Sequence, residues 1–223
     1  MKYAYKHGKI KLTMSHTPGK AEQNKKQKHD ALMRTAFDLF SMKGIANTTI
    51  ADIAEKAQVG KGTFYSYFKD KYDIRNHIIA HVSARIFMKA KLELNENKDA
   101  GKSVEEDIIL LCDNIIDQLT EDKRTLSFIS KNLSWGVFST VLHNEEDTMG
   151  INFPSLFKES FDKSQVKYKD PLIMIYMIIE LVNGTCYSSI LYNEPLPINE
   201  LKPYLFDSIR AIMEKQEIRK ETV

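Results

Sequence analysis

Cysteine is nearly missing from this chain, with two in 223 residues and no Cys-x-x-Cys pair. That usage excludes a disulfide framework and fits a reducing compartment. A chain of this length can instead bury a sizeable apolar core. Long apolar runs are missing too. The longest, Leu172 to Ile179, is closed by Glu180 and falls well short of the roughly 20 residues that span a bilayer. The start, MKYAYKHGKIKLTMSHTPGKAEQNKK, is basic and holds no apolar stretch of signal-peptide length. A cytoplasmic protein without a membrane partner is expected. No segment sustains the alternation of a β-strand, and no internal repeat is found. Catalytic signatures are absent as well: no His-x-x-Glu-His site, no nucleophile elbow, no carboxylate pair with a reason to be strained. Neither enzyme chemistry nor a cofactor is expected. The polar cluster from His143 to Asp147 reads as a solvated connection rather than a metal site. Asn183-Gly184-Thr185 matches the glycosylation pattern but lies in a helix expected to stay in the cytosol.

What is there is uneven. The formal charge of +2 conceals a basic first third: residues 1–77 carry 15 Lys and Arg against 7 Asp and Glu, and residues 78–223 carry 17 against 23. A basic N-terminal surface above a slightly acidic body suits a polyanion. Basic tails are also common without any such partner.

Residues 1–24 show no sustained period and read as a flexible basic arm. From Lys25 the chain reads as helical almost throughout. Leu32, Ala36, Leu39 and Phe40 mark an amphipathic helix stopped at Gly44. Thr49-Ile-Ala-Asp52 has the form of a capping box opening a short helix with Ile50, Ile53, Ala54 and Ala57. The turn Gln58-Val59-Gly60 leads to a second short helix ending near Phe68. Asp70 to Asp73 then cap a long helix with Ile74, Ile78, Val82 and Ile86 on one face. Further helices follow at 104–119, 126–142 and around Phe157 and Phe161. Two long ones close the chain, Leu172 to about Tyr192 and Asn199 to about Ile218, separated by Pro195-Leu196-Pro197.

The stretch VGKGTFYSYFKDK, from Val59 to Lys71, poses the functional question. A phosphate loop would need a glycine where Glu55 stands, a Ser or Thr where Gly62 stands, and a preceding strand. It fails all three. A capped short helix, a three-residue turn and a second short helix make a helix-turn-helix, whose second helix enters the DNA major groove. Phe64 and Phe68, four apart, can bury together, while Lys61, Gly62, Thr63, Ser66 and Tyr67 fall largely outside. Gly62 lets the backbone sit close to base edges, unless it is a tolerated poor helix former.

The runs Thr48 to Ala54 and Ala57 to Lys71 resemble the DNA-binding segment of the TetR family of bacterial transcriptional regulators. The resemblance extends from about Arg34 to Ile74 and includes Ala36, Phe40 and Gly44. Two positions depart from the family pattern: Gln58 stands where glycine is usual, and Gly60 where Ser or Thr usually caps the reading helix. The resemblance implies an all-α fold of about nine helices. It would have a helix-turn-helix DNA-binding domain at 25–70 and a helical effector-binding and dimerisation domain at 71–223. It implies that Thr49 and Lys71 hold phosphates, that Tyr65 donates its phenol to one, and that Lys61, Thr63 and Tyr67 lie nearest the bases.

The segment from Leu172 to Val182 is apolar nearly all round and must be covered on opposite sides. Its own core is one cover, and a second copy of the chain the simplest other; full burial within a monomer is the alternative. The resemblance implies a four-helix homodimer interface, with Ile175, Ile179, Val182, Gly184 and Ser188 from one helix and Leu205 and Ile209 from the last. It also implies a small-molecule pocket, largely apolar, for which Phe87, Trp135, Phe138 and Tyr176 are candidates. Aromatic residues at this spacing also serve as plain core. The expected protein is a repressor released from a palindromic operator by that effector. The alternatives are a DNA-binding factor without a sensor, and a helical ligand-binding protein or enzyme with an incidental helix-turn-helix.

Overall fold

The computed structural model describes residues 19–96, 103–132, 161–162, 164 and 166–218. Eight helices lie among the described residues, and no strand. Among the described residues, extended backbone pairs only where Tyr168 bridges Glu217. The fold is all-α, as expected.

Helix α1 runs from Lys20 to Lys43, so its first turns occupy residues 20–24, where the sequence pattern alone suggests an arm. It ends where Gly44 adopts φ 80° and its N–H bonds the Phe40 carbonyl at 3.0 Å. Only a residue without a Cβ sits there without strain. Helix α2 (Ile50–Lys56) opens on the expected capping box: Thr49 Oγ1 accepts from the Asp52 N–H at 3.1 Å, and Asp52 Oδ2 accepts from the Thr49 N–H at 3.0 Å. Helix α3 (Lys61–Tyr65) is shorter than expected, although the Phe68 N–H still reaches the Phe64 carbonyl. Helix α4 (Lys71–Glu96) is capped by Asp70, whose Oδ1 accepts from the N–H groups of Tyr72 and Asp73.

Phe64, Phe68, Ile74 and Ile78 pack with Leu32, Ala36 and Ile53 in one apolar cluster that continues into the body. The anticipated stripe of α4 (Ile74, Ile78, Val82 and Ile86) is buried throughout. Beyond it lie α5 (Val104–Glu121), α6 (Lys123–Asn132), α7 (Pro171–Tyr192) and α8 (Ile198–Gln216). Helix α4 packs on α1, α5 and α6, so the helix that starts in the reading head ends inside the body. Lys202 of α8 fastens to Asp113 and Asp117 of α5 at 2.6 and 2.5 Å. Burial works against its charge, but the two carboxylates prevail and raise its pKa.

Helix α7 packs on α5, α6 and α8. It is 22 residues long and, despite Glu180, apolar enough as a whole to cross a membrane by length and composition. The uninterrupted run alone understates it. Its buried residues include Met174, Ile175, Ile178, Val182, Cys186 and Ile190.

This corrects the expected dimer surface. Ile175, Val182, Leu205 and Ile209 belong to the chain's own core, the last at 0% exposure, and Ile179 is half-buried against it. None of the four is available to a partner. The residues that α7 and α8 leave outward include Ile173, Gly184, Tyr204 and Ala211, with Met177, Ser188 and Leu191 half-covered. A helix apolar on every side has no phase in its sequence pattern, so inner and outer stripes cannot be told apart before packing is known.

Candidate nucleic-acid interface

The outer surface of the first three helices is built around α3. The two phenylalanines turn inward, Phe64 at 0% and Phe68 at 2% exposure, and their burial fixes which side of α3 faces out. Gly60, Lys61, Gly62, Tyr65 and Ser66 are exposed, and Thr63 is half-buried. Among the described residues, nothing lies within 4 Å of a Cβ built on Gly60 or Gly62. The protein itself therefore does not require a bare backbone at either position. Gly60 is the N-cap and supplies no side-chain bond to the helix, consistent with the missing hydroxyl. Gln58, standing where the family pattern has glycine, takes φ 58°. That is the left-handed region, so the turn wants glycine and holds glutamine under strain.

Thr49 is exposed at the N-terminus of α2. Its oxygen accepts the capping bond and its hydroxyl proton is left to donate outward. Beside it, the Lys43 ammonium contacts Asp52 Oδ2 at 2.7 Å. That bond, with the Thr49 N–H, lowers the Asp52 pKa to about 2. The tie between α1 and α2 was not anticipated; a Lys and an Asp nine residues apart leave no signature at helical spacing.

Tyr65 meets the expectation of an available phenol, with 59% of its surface exposed. Tyr67 and Lys71 are placed differently. The Tyr67 ring is half-buried, and its hydroxyl donates to the Lys25 carbonyl at 3.0 Å, across 42 positions of sequence. Lys71 turns its ammonium inward and donates to the carbonyls of Ile45, Ala46 and Thr48 at 2.8, 3.2 and 3.2 Å. An ammonium has three protons, and all three are committed. The expected phosphate role of Lys71 gives way to that of a tether, which holds the start of α4 against the α1–α2 turn. Exposed lysines at 56, 61 and 69 remain on this surface.

In the body, Phe87 and Tyr176 come together where α4, α5 and α7 meet. Phe87 clusters with Ala80, Ala84, Ala90 and Leu111, and Tyr176 packs against that cluster. Trp135 and Phe138 lie outside the described residues, as do Gly136, Phe157 and the segment from His143 to Asp147.

With this geometry in place, residues 32–78 match the family model for bacterial regulatory proteins of the tetR family. Over these residues the chain carries a TetR-family DNA-binding segment. Among curated relatives, the HTH-type transcriptional regulator LuxR of Vibrio harveyi is 26% identical over 164 residues, covering 70% of this chain and 74% of that protein. Among solved structures, a TetR-family regulator from Shewanella sp. PV-4 superposes with a TM-score of 0.57 at 17% identity, covering 86% of this chain and 99% of the other. FadR of Bacillus subtilis, in complex with stearoyl-CoA, superposes at 0.57 with 15% identity, covering 81% and 97%. At such identities the structural likeness is one of TetR fold. The family model covers residues 32–78, the reading head alone.

Proposed function

We propose that this chain is a DNA-binding transcriptional regulator that represses by occupying a palindromic operator as a homodimer in the cytoplasm, and that a largely apolar small molecule releases it. The observation that carries the DNA reading is the exposed, lysine-bearing and almost side-chain-free start of α3. Gly60 and Gly62 face open space on either side of Lys61. Bare backbone with no internal reason for it is what a surface needs to approach base edges, where Lys61 can donate to guanine and the Thr63 methyl can meet thymine. Thr49 and Tyr65 supply hydroxyls for flanking phosphates. A second copy laid on the outer stripe of α7 and α8 would place two such heads about 34 Å apart or a near multiple, one helical turn of DNA.

The ligand reading rests on Phe87 and Tyr176, which meet among the small side chains of Ala80, Ala84 and Ala90 on the helix that leads to the reading head. The stearoyl-CoA held by FadR, a protein of the same fold, supports an apolar chain as the ligand class.

The experiment is Gly62→Ala, tested on a duplex obtained by selection in vitro. Alanine in a helix favours folding over glycine by up to about 1 kcal/mol, so thermal stability should hold or rise. Affinity for the selected duplex should fall at least tenfold, because a methyl group now stands between backbone and bases. Unchanged affinity would remove α3 from the groove. Titrating acyl-CoA, with fluorescence of the single tryptophan as the signal, should show weaker ligand binding when the operator is present, since the coupling is reciprocal.

A further inference from the structure

We propose that the first turns of α1 form a second DNA-backbone contact, lying alongside the reading head and set by Lys25 and Lys28. The inference rests on the DNA-binding reading above and extends it to residues outside the helix-turn-helix.

Three observations carry it. The first is where α1 begins. The helix starts at Lys20, and every residue from Lys20 to Lys28 is exposed, so about two turns project beyond the packed body. The second is a change of character along one stripe. Leu32 and Ala36 are fully buried. Lys28 precedes Leu32 by four residues and Lys25 by seven, the spacing that keeps side chains on one helical face. The stripe that is apolar where it is buried thus becomes basic where it is exposed. The third is the neighbour. The Tyr67 hydroxyl holds the Lys25 carbonyl at 3.0 Å, and the His29 ring lies 5.9 Å from the Tyr67 ring and 5.3 Å from the Phe68 ring. The projecting turns are therefore fastened to the segment that follows the reading helix, continuous with the surface offered to DNA.

Four lysines (Lys20, Lys25, Lys26 and Lys28) and two acids (Glu22 and Asp30) lie between Lys20 and Asp30, with Asp30 turned toward the His29 ring at 3.3 Å. An uncovered basic stripe beside a DNA-reading head fits phosphate oxygens and not an apolar partner. Its contacts carry no sequence information; they lengthen the footprint and hold the head in register. Tyr67 acts here as a positioning residue: it holds α1 to the head rather than reading bases.

The test is the double variant Lys25→Ala/Lys28→Ala in the full chain, compared with Lys61→Ala. Alanine is the best helix former, so α1 keeps its structure, which circular dichroism checks. Binding is titrated on the selected operator and on a scrambled duplex over a range of salt. The double variant should lose about tenfold or more in affinity on both duplexes at about 0.1 M salt and lower the salt slope by about 1.8, since each phosphate contact contributes about 0.9. Hydroxyl-radical footprinting should show protection lost on the backbone flanking each half-site. If the double variant keeps full affinity and slope while Lys61→Ala still weakens operator binding, this inference fails and the DNA reading stands. If the unaltered protein shows no salt-dependent binding to any duplex, both fail.

Discussion

Lys43, the last residue of α1, reaches Asp52 in the first turn of α2 across 2.7 Å, and the same carboxylate caps α2 by accepting the Thr49 N–H. One group thus fixes the angle between two helices and the start of the second.

A pH dependence follows. The Lys43 ammonium and the Thr49 N–H hold the Asp52 pKa at about 2, below its ordinary 3.8. A depressed carboxylate contributes stability that is present above the unfolded value and is lost as pH falls through the folded one. The window is therefore from about pH 4 down to about pH 2. Comparing melting temperatures of the wild type and Asp52→Asn at about pH 6 and about pH 2.5 should show a smaller gap between the two proteins at the lower pH. A gap of the same size at both would mean that the carboxylate is not coupled to folding.

Gln58 offers a gain of stability. Its left-handed backbone costs an L-residue roughly 1–2 kcal/mol, partly offset because glycine leaves the unfolded chain more freedom. Gln58→Gly should stabilise by about 0.5–1 kcal/mol, measured by denaturant midpoint, with DNA affinity unchanged. A loss of stability would show that the Gln58 side chain contributes something its backbone geometry does not reveal.

Lys71 separates a tether from a phosphate ligand. Lys71→Met strips three carbonyls of their donor, at a cost of roughly 1–3 kcal/mol, which for a chain of this size is several degrees of melting temperature. The salt slope of DNA binding should stay as it was. A slope lowered by about 0.9 without loss of stability would return Lys71 to the phosphate role expected from the family pattern.

The local signals in the sequence are good guides because their partners lie within a turn or two. Gly44 after Lys43 and Thr49 before Asp52 carry their own geometry, and the Phe64–Phe68 spacing shows which side of α3 is buried. Lys71 misleads because the carbonyls it holds are 23 to 26 residues away, where no pattern reaches. Tyr67 misleads in the same way, since its partner Lys25 stands at the edge of a stretch whose sequence shows no period. Of the ligand-site candidates, Phe87 and Tyr176 fall in one apolar cluster, and Trp135 and Phe138 lie outside the described residues.

The outer stripe of α7 makes the proposed dimer testable at one position. A Cβ on Gly184 meets nothing among the described residues, so Gly184→Leu should leave the monomer folded, at equal or greater stability. If a second copy approaches closely there, the added side chain should move the protein from dimer to monomer in sedimentation at micromolar concentration. A dimer of unchanged strength would place the contact elsewhere. Leu205→Ala is the contrast, since it should cost about 2–5 kcal/mol of folding stability through the cavity it leaves.

Helix α7 also bears on how the chain is made. It leaves the ribosome late, when α1 to α6 already exist as a surface to receive it, but α8 is the last described element to follow. Until α8 arrives, a helix apolar enough to enter a bilayer stands without its final cover, and Asp113 and Asp117 wait for the Lys202 ammonium. Exposed apolar surface of that length is what aggregates during synthesis. A stop codon placed after Tyr192 would remove α8, and with it the buried Leu205, Ile209 and Met213. Its product should be found in inclusion bodies or bound to chaperones.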